Sequence, residues 1–270
     1  MLRRISIVGS LAAMLTVTIV VRSDEDSSKK VESPARKEAR EHMSEFTVQS
    51  AAKGRDGLIE ILPNPLLTFG DAARSAEAGT LWAWGKSGRP VAFLELYRNF
   101  GNDQPWVHAL TLTSPELIQL TGPNNQRWTP KKSHFVLKDV PNSPEVSAQP
   151  AIRLRQMKEI SRRFEAHQFW DPDNSRFEMR LLVQPVHRYH DEASKLIDGA
   201  VFVMAHGTNP EVLVQIEAHV AEKTSTWKYS VVRLGSAEMH VLLDGKEVWT
   251  EPRTPGIVGQ PVDPYWLFLT

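Results

Sequence analysis

The stretch QPVHRYHDEASKLIDGAVFVMAHGTNPEVLVQIEAH, residues 184–219, opens on His187, His190 and Asp191. Two imidazoles and a carboxylate are a donor set for zinc or iron when a loop closes them around the ion. Here the two histidines stand at i and i+3 where a strand meets a loop, so their directions are not fixed by spacing, and no HExxH helix accompanies them. The solvated entry to a strand is the preferred reading, with the metal site as the candidate set against it. A second pair lies across a hairpin. Val91, Phe93, Glu95 and Tyr97 alternate on one strand, and Trp106, His108 and Leu110 on the next. A turn centred on Gly101 would make Glu95 and His108 neighbours, and a carboxylate beside a histidine can act as general acid and base. The competing reading is a polar pair hydrogen-bonded for structural reasons. Trp82 and Trp84, two of the eight tryptophans, read as core in preference to an exposed stacking platform.

Other chemistry has no motif here. There is no GxSxG elbow, no phosphate-cradling glycine loop and no dinucleotide fingerprint. The chain has no cysteine, which excludes disulfides, thiolate metal sites, cysteine nucleophiles and a lipobox cysteine. No cofactor is expected. Lys plus Arg and Asp plus Glu balance at 32 each, so no global basic field draws in nucleic acid, and no nucleic-acid partner is expected. Arg153, Arg155, Lys158, Arg162 and Arg163 are interleaved with Glu159 and Glu165 and read as a wet helix face.

Arg3 and Arg4 precede a charge-free apolar run at residues 5–21, and Val21 and Ser23 occupy the −3 and −1 positions of a cleavage site before Asp24. This pattern predicts a signal peptide over residues 1–23 and an exported protein, periplasmic or extracellular. The alternative is an uncleaved anchor at residues 5–21, close to the roughly 20 apolar residues of a spanning helix. Membrane contact is expected only through that segment. Residues 24–32 read as a solvated linker.

The body is positioned by two similar runs of elements. Ser33 and Pro34 start a helix carrying Ala35, Ala39, Met43 and Phe46, stopped by Gly54. Period-two strands follow at residues 58–62, 81–84, 91–97, 106–112 and 134–137. This is the first unit, residues 33–140. A proline-rich linker, 141–149, leads to a second unit, 150–250. It opens on a helix with the stripe Leu154, Met157, Ile160 and Phe164, ended at residues 171–174. Its strands are at 177–183, 200–205, 211–219, 228–234 and 239–243. The tail, 251–270, ends in Tyr265, Trp266, Leu267 and Phe268 and is expected to pack back on the body.

Laid over the chain 120 residues later, residues 62–96 pair Leu62 with Leu182, Pro65 with Pro185, Asp71 with Asp191, Gly79 with Gly199 and Pro90 with Pro210. The matching positions of His187 and His190 are Leu67 and Gly70, so the shared aspartate reads as a turn or cap and the histidines as peculiar to one unit. The expected fold is α+β: two tandem pseudo-repeat units, each a helix plus an antiparallel meander, of hot-dog, cystatin-like or NTF2-like kind.

The segments PAIRLRQMKEISRRF, MRLLVQPVHRY, DGAVFVMAHGTNPEVLVQIEA and WKYSVVRLGSAEMHV resemble those of a family of exported proteins from planctomycete-type bacteria. The resemblance implies a shared fold and export, and no activity, ligand or catalytic residue. The expected function is non-enzymatic binding or scaffolding of an unknown protein or small ligand. The alternative is a small hydrolase or isomerase working in a cleft between the two units.

Overall fold

The computed structural model describes residues 34–52, 57–71, 76–85, 88–99, 104–170, 173–221, 224–254 and 259–270. The expected signal segment, its linker, the Ser33 cap, Gly54, and the residue 101–103 turn lie outside the described residues. Among those described there are two helices, α1 (Pro34–Met43) and α2 (Pro150–Ser161), and seventeen strands in four antiparallel sheets. The fold is therefore predominantly β. That overturns the expected pair of helix-plus-meander α+β units.

The first central sheet is built from β2 (Leu67–Asp71), β3 (Ala76–Trp84), β4 (Ala92–Asn99) and β5 (Trp106–Leu112), with β17 (Tyr265–Leu269) added outside β5. The second is β11 (Arg180–Asp191), β12 (Leu196–His206), β13 (Asn209–Ala221) and β14 (Thr224–Arg233), with the short β8 (Lys138–Asp139) outside β14. Both sheets bury both faces, which is why VFVMA reads as an unbroken apolar run and AFLEL is broken only by Glu95, instead of alternating. Leu81, Ala83 and Phe93 of the first sheet meet Val201, Val203, Leu213 and Val232 of the second in one inner core.

On the far face of the first sheet, Trp82, Trp84, Leu94, Leu96, Leu110 and Leu112 pack against Ala39 and Met43 of α1. They also meet a small sheet of β1 (Thr47–Ser50), β6 (Ile118–Thr121) and β7 (Arg127–Trp128). Trp82 and Trp84 are thus core residues. On the far face of the second sheet, Phe202, Met204, Val214 and Ile216 pack against Met157 and Ile160 of α2 and against a four-stranded outer sheet. That outer sheet is β10 (Ser175–Glu178), β9 (Phe164–Trp170), β15 (Glu238–Leu243) and β16 (Lys246–Glu251), in that order.

The outer sheets account for the correction. Phe164 belongs to no helical stripe; it opens β9, which pairs with β15 from Leu243↔Phe164 to Glu238↔Phe169. Likewise Phe46 follows the end of α1 and leads into β1, which pairs with β6. An apolar residue at i+4 of a helix is also at an even position of the strand that follows, so spacing alone could not separate them. β16 was legible and missed. Asp244 and Gly245, with φ of 53° and 73°, form the two-residue turn that Asp-Gly favours in a hairpin.

Pairing within the two central sheets runs in equal register. Phe69 pairs with Gly79, and Trp84 with Ala92; Tyr189 pairs with Gly199, and Met204 with Val212. The glycines sit inside strands, not at turns. A Cβ on Gly79 would lie 2.2 Å from the Phe69 ring, and one on Gly199 2.6 Å from the Tyr189 ring. Each glycine makes room for a ring laid across from the neighbouring strand.

Candidate functional site

Strand register decides the first candidate pair. Residues directly opposite in an antiparallel ladder share a face, and His108 is opposite Leu96 while Glu95 is opposite Ala109. Glu95 therefore faces the second central sheet and His108 faces α1. The general acid–base pair expected from the sequence is not assembled. His108 is fully buried, stacks on Phe268 at 4.3 Å, and places its Nε2 2.7 Å from the Nε2 of His42. Burial first, and then the neighbouring His42, lower its pKa to about 3, so it is a neutral core histidine.

His187, His190 and Asp191 are also distributed. His187 stacks on Tyr189 at 5.8 Å, whereas His190 is exposed on the opposite pleat. Asp191 accepts a hydrogen bond from the backbone N–H of Ala193 at the β11–β12 turn. Among the described residues no group of three or more His, Asp or Glu side chains is arranged to hold a metal ion.

Two clusters of buried polar groups are associated with the inner face between the central sheets. One is closed and satisfied. Glu217, on β13, is fully buried and receives Arg89 Nε and Nη2 at 2.6 Å each, the Tyr189 hydroxyl at 2.7 Å and His219 Nε2 at 2.6 Å. Burial alone would raise this carboxyl, but hydrogen bonds from Arg89 and His219 outweigh it and bring its pKa to about 2. Arg89 reaches it from the β3–β4 loop, so this network ties the two sheets together.

The other place is open. At the edge where β4, β5 and β17 of the first sheet meet β13 of the second and β9 of the outer sheet, a cavity of about 140 Å³ is lined by Glu95, Tyr97, Gln168, Trp170, Glu211 and Tyr265, among others. Alternation places Glu95 and Tyr97 inward on β4, and β17 adds Tyr265 on the same face through its pairing with Thr111. Glu211, at the start of β13, is 3% exposed, and Glu95 2%. The Glu211 carboxylate accepts from Asn209 Nδ2 at 3.1 Å and from Gln168 Nε2 at 3.4 Å. Gly235 passes so close that a Cβ there would lie 2.1 Å from Glu211 Oε2.

Among the lining atoms, Gln168 Oε1 and the Tyr265 hydroxyl have no hydrogen-bond partner. Gln168 is 1% exposed and Tyr265 6%. The Gln168 amide nitrogen already meets His206 Nδ1 at 3.0 Å as well as Glu211. Turning the amide over would set its oxygen against a carboxylate, so the orphan atom is the acceptor. Burial above all raises the Tyr265 phenol well beyond its ordinary pKa; Arg233 opposes this, and Glu95 and Glu211 reinforce it. It is therefore a neutral hydroxyl.

A wider, more exposed groove beside α2 holds Arg153 and Arg188 on the buried Asp198. Arg153 Nε lies at 2.8 Å, and Arg188 Nε and Nη2 at 2.8 and 2.6 Å. Both guanidinium groups also bond backbone carbonyls, Arg153 those of Ser147 and Ala148, Arg188 that of Pro150. That cluster is satisfied as it stands.

Of the candidate catalytic and metal residues read from the sequence, only Glu95 lines the cavity. Gln168, Glu211 and Tyr265 carried a faint signal, each a polar side chain inside an apolar strand. No family model, no curated protein and no solved structure matches this chain.

Proposed function

We propose that this is an exported, non-catalytic binding protein whose site is the cavity lined by Glu95, Gln168, Glu211 and Tyr265. The observation that carries the reading is the pair of orphan polar atoms, Gln168 Oε1 and the Tyr265 hydroxyl, buried beside two carboxylates around open space. An unsatisfied buried polar group costs about 1–3 kcal/mol. What sets Gln168 Oε1 and the Tyr265 hydroxyl apart is that they border open space, where an entering molecule can satisfy them. Among the described residues the exposed large apolar side chains, Leu58, Val136, Val183, Val220 and Leu269, come from separate elements, so a small ligand is favoured over a protein docked on an apolar face.

Export rests on Arg3, Arg4 and the apolar run at residues 5–21, together with the resemblance to exported planctomycete-type proteins. Among the described residues no helix is long and apolar enough to cross a membrane. The equal registers of β2–β5 and β11–β14 support a further part of the proposal, an internal repeat confined to the four-stranded meander. The helices and outer sheets stand outside it.

The test of the binding reading is a thermal-shift screen of small polar compounds against the wild-type protein and a Glu211→Gln variant. A ligand at 100 times its Kd adds about 2.7 kcal/mol, which for a body of this size raises the midpoint by about 5–10 °C. Hits that stabilise the wild type and lose most of their effect in Glu211→Gln support the proposal. Hits that shift both proteins equally contradict it.

A further inference from the structure

We infer that the cavity takes a small primary carboxamide, a neutral head that both donates and accepts hydrogen bonds on a short apolar tail. The inference rests on the binding reading above and names the chemistry of the ligand.

The two orphan atoms set opposite demands. Gln168 Oε1 only accepts, so it calls for an N–H or O–H from the ligand. The Tyr265 hydroxyl, neutral in this buried setting, carries a proton that calls for an acceptor. An ammonium group only donates and would leave that proton unmet; a carboxylate only accepts and would leave Gln168 Oε1 unmet. The other polar groups do not alter the requirement. Glu95, Tyr97 and Glu211 are engaged by other groups of the protein, Glu211 by Asn209 and Gln168. Arg233, over the Tyr265 ring, spends its N–H groups on the backbone carbonyls of Gly235, Pro252 and Ala237 and has Glu251 at 4.0 Å. Arg253 lies over the Trp170 ring. Groups of both signs thus surround the cavity, and a neutral ligand asks nothing of their balance.

A hydroxyl group meets both demands through one oxygen. A primary amide meets them through two atoms, its N–H toward Gln168 and its C=O toward Tyr265. The orphan atoms come from different sheets, Gln168 on β9 of the outer sheet and Tyr265 on β17 of the first central sheet, which suits a head with donor and acceptor on separate atoms. The rest of the lining suits a tail. Ala109, Leu234, Ala237 and Leu267 are buried apolar walls. Water also donates and accepts, but an enclosed water needs two to four polar partners, and these walls supply none; an alkyl group gains by burial there. Size sets the upper limit. The cavity is about 140 Å³, the share of liquid taken by about four or five waters, which admits an amide of about five heavy atoms and excludes peptides and sugars.

The experiment is calorimetric titration of the folded wild-type protein with propionamide, and separately with 1-propanol, sodium propionate and propylammonium chloride, which keep the chain length and change the head. Tyr265→Phe and Glu211→Gln are titrated alongside, each first shown to unfold cooperatively. The first removes the donor. The second removes the carboxylate that fixes the Gln168 amide, so that amide is free to turn its nitrogen to the cavity. The expected result is saturable binding of one propionamide per chain, weakened about three- to tenfold in each variant, as loss of a neutral hydrogen bond requires. Propanol should bind less tightly, and propionate and propylammonium should not compete. Propanol binding as tightly, or either ion binding in place of propionamide with the same sensitivity to the variants, would overturn the amide inference and leave the binding reading standing. Propionamide binding that both variants leave unchanged would overturn its placement in this cavity. Absence of saturable binding by all four probes would overturn the inference; the binding reading falls with it only where the thermal-shift screen also yields no compound sensitive to Glu211→Gln.

Discussion

Tyr189 and Tyr265 are both buried, at 5% and 6% exposure, and each lies on the inner face of a central sheet. Their hydroxyls differ in one respect. Tyr189 donates to the buried Glu217 carboxylate at 2.7 Å, while Tyr265 has no partner. Replacing each by phenylalanine removes one oxygen and leaves the ring in place. Tyr189→Phe loses a hydrogen bond to a charged acceptor, worth about 1.5–3 kcal/mol. Tyr265→Phe loses no bond and relieves an unsatisfied hydroxyl, so the apo protein should be unchanged or more stable by up to about 1 kcal/mol. In urea, with a slope near 3 kcal/mol per M, Tyr189→Phe should lower the midpoint by about 0.5–1 M at unchanged slope. Tyr265→Phe should leave it in place or raise it. Equal losses in the two variants would refute the reasoning, because they would mean that the Tyr265 hydroxyl is satisfied in the empty protein.

Acid should erode stability in two windows. His108 is neutral when folded, with a pKa near 3 against 6.5 for a free imidazole. The unfolded chain takes up that proton first, so stability is full above pH 6.5 and declines as the pH falls through it. Glu217 is held at about 2 against 4.5; its contribution, on the order of 3 kcal/mol, is present above pH 4.5 and lost from there down toward 2. Urea titrations at a series of pH values check both, and Arg89→Met should abolish most of the lower window. Trp82→Ala should cost about 3–5 kcal/mol, the range for a large core aromatic, since its ring is 3% exposed and its Nε1 bonds Thr80 Oγ1 at 2.9 Å; a loss under about 1 kcal/mol would place the ring at the surface. A reporter active only outside the cytoplasm, fused after Glu32, should be active; a silent fusion that accumulates would contradict export.

The strands of the central sheets were the legible part of this sequence. β5 was expected at residues 106–112 and lies there. What spacing could not give was the partner of each residue. With the turn between β4 and β5 undetermined, a register one residue away put His108 on the Glu95 face, and a one-residue slip turns every side chain over. The outer sheets were hidden for a different reason. β9 continues the apolar spacing of α2, and β10 and β11 were run together because only Met179 separates them. The cavity was the least legible of all. Glu95, Gln168, Glu211 and Tyr265 lie on four strands drawn from three sheets. Each by itself is one polar residue in an apolar run, which packing alone makes neither a ligand contact nor a structural one.

The chain has four tyrosines, Tyr97, Tyr189, Tyr229 and Tyr265, of which Tyr97 and Tyr265 line the cavity. Protein labelled with carbon-13 in the tyrosine rings, titrated with a compound that stabilises the wild type in the thermal-shift screen, therefore tests the central claim with its own internal controls. The ring resonances of Tyr97 and Tyr265 should shift together and saturate on one binding curve, while Tyr189 and Tyr229 hold still. Four unmoved tyrosines, or shifts confined to Tyr189 or Tyr229, would contradict the cavity as a binding site.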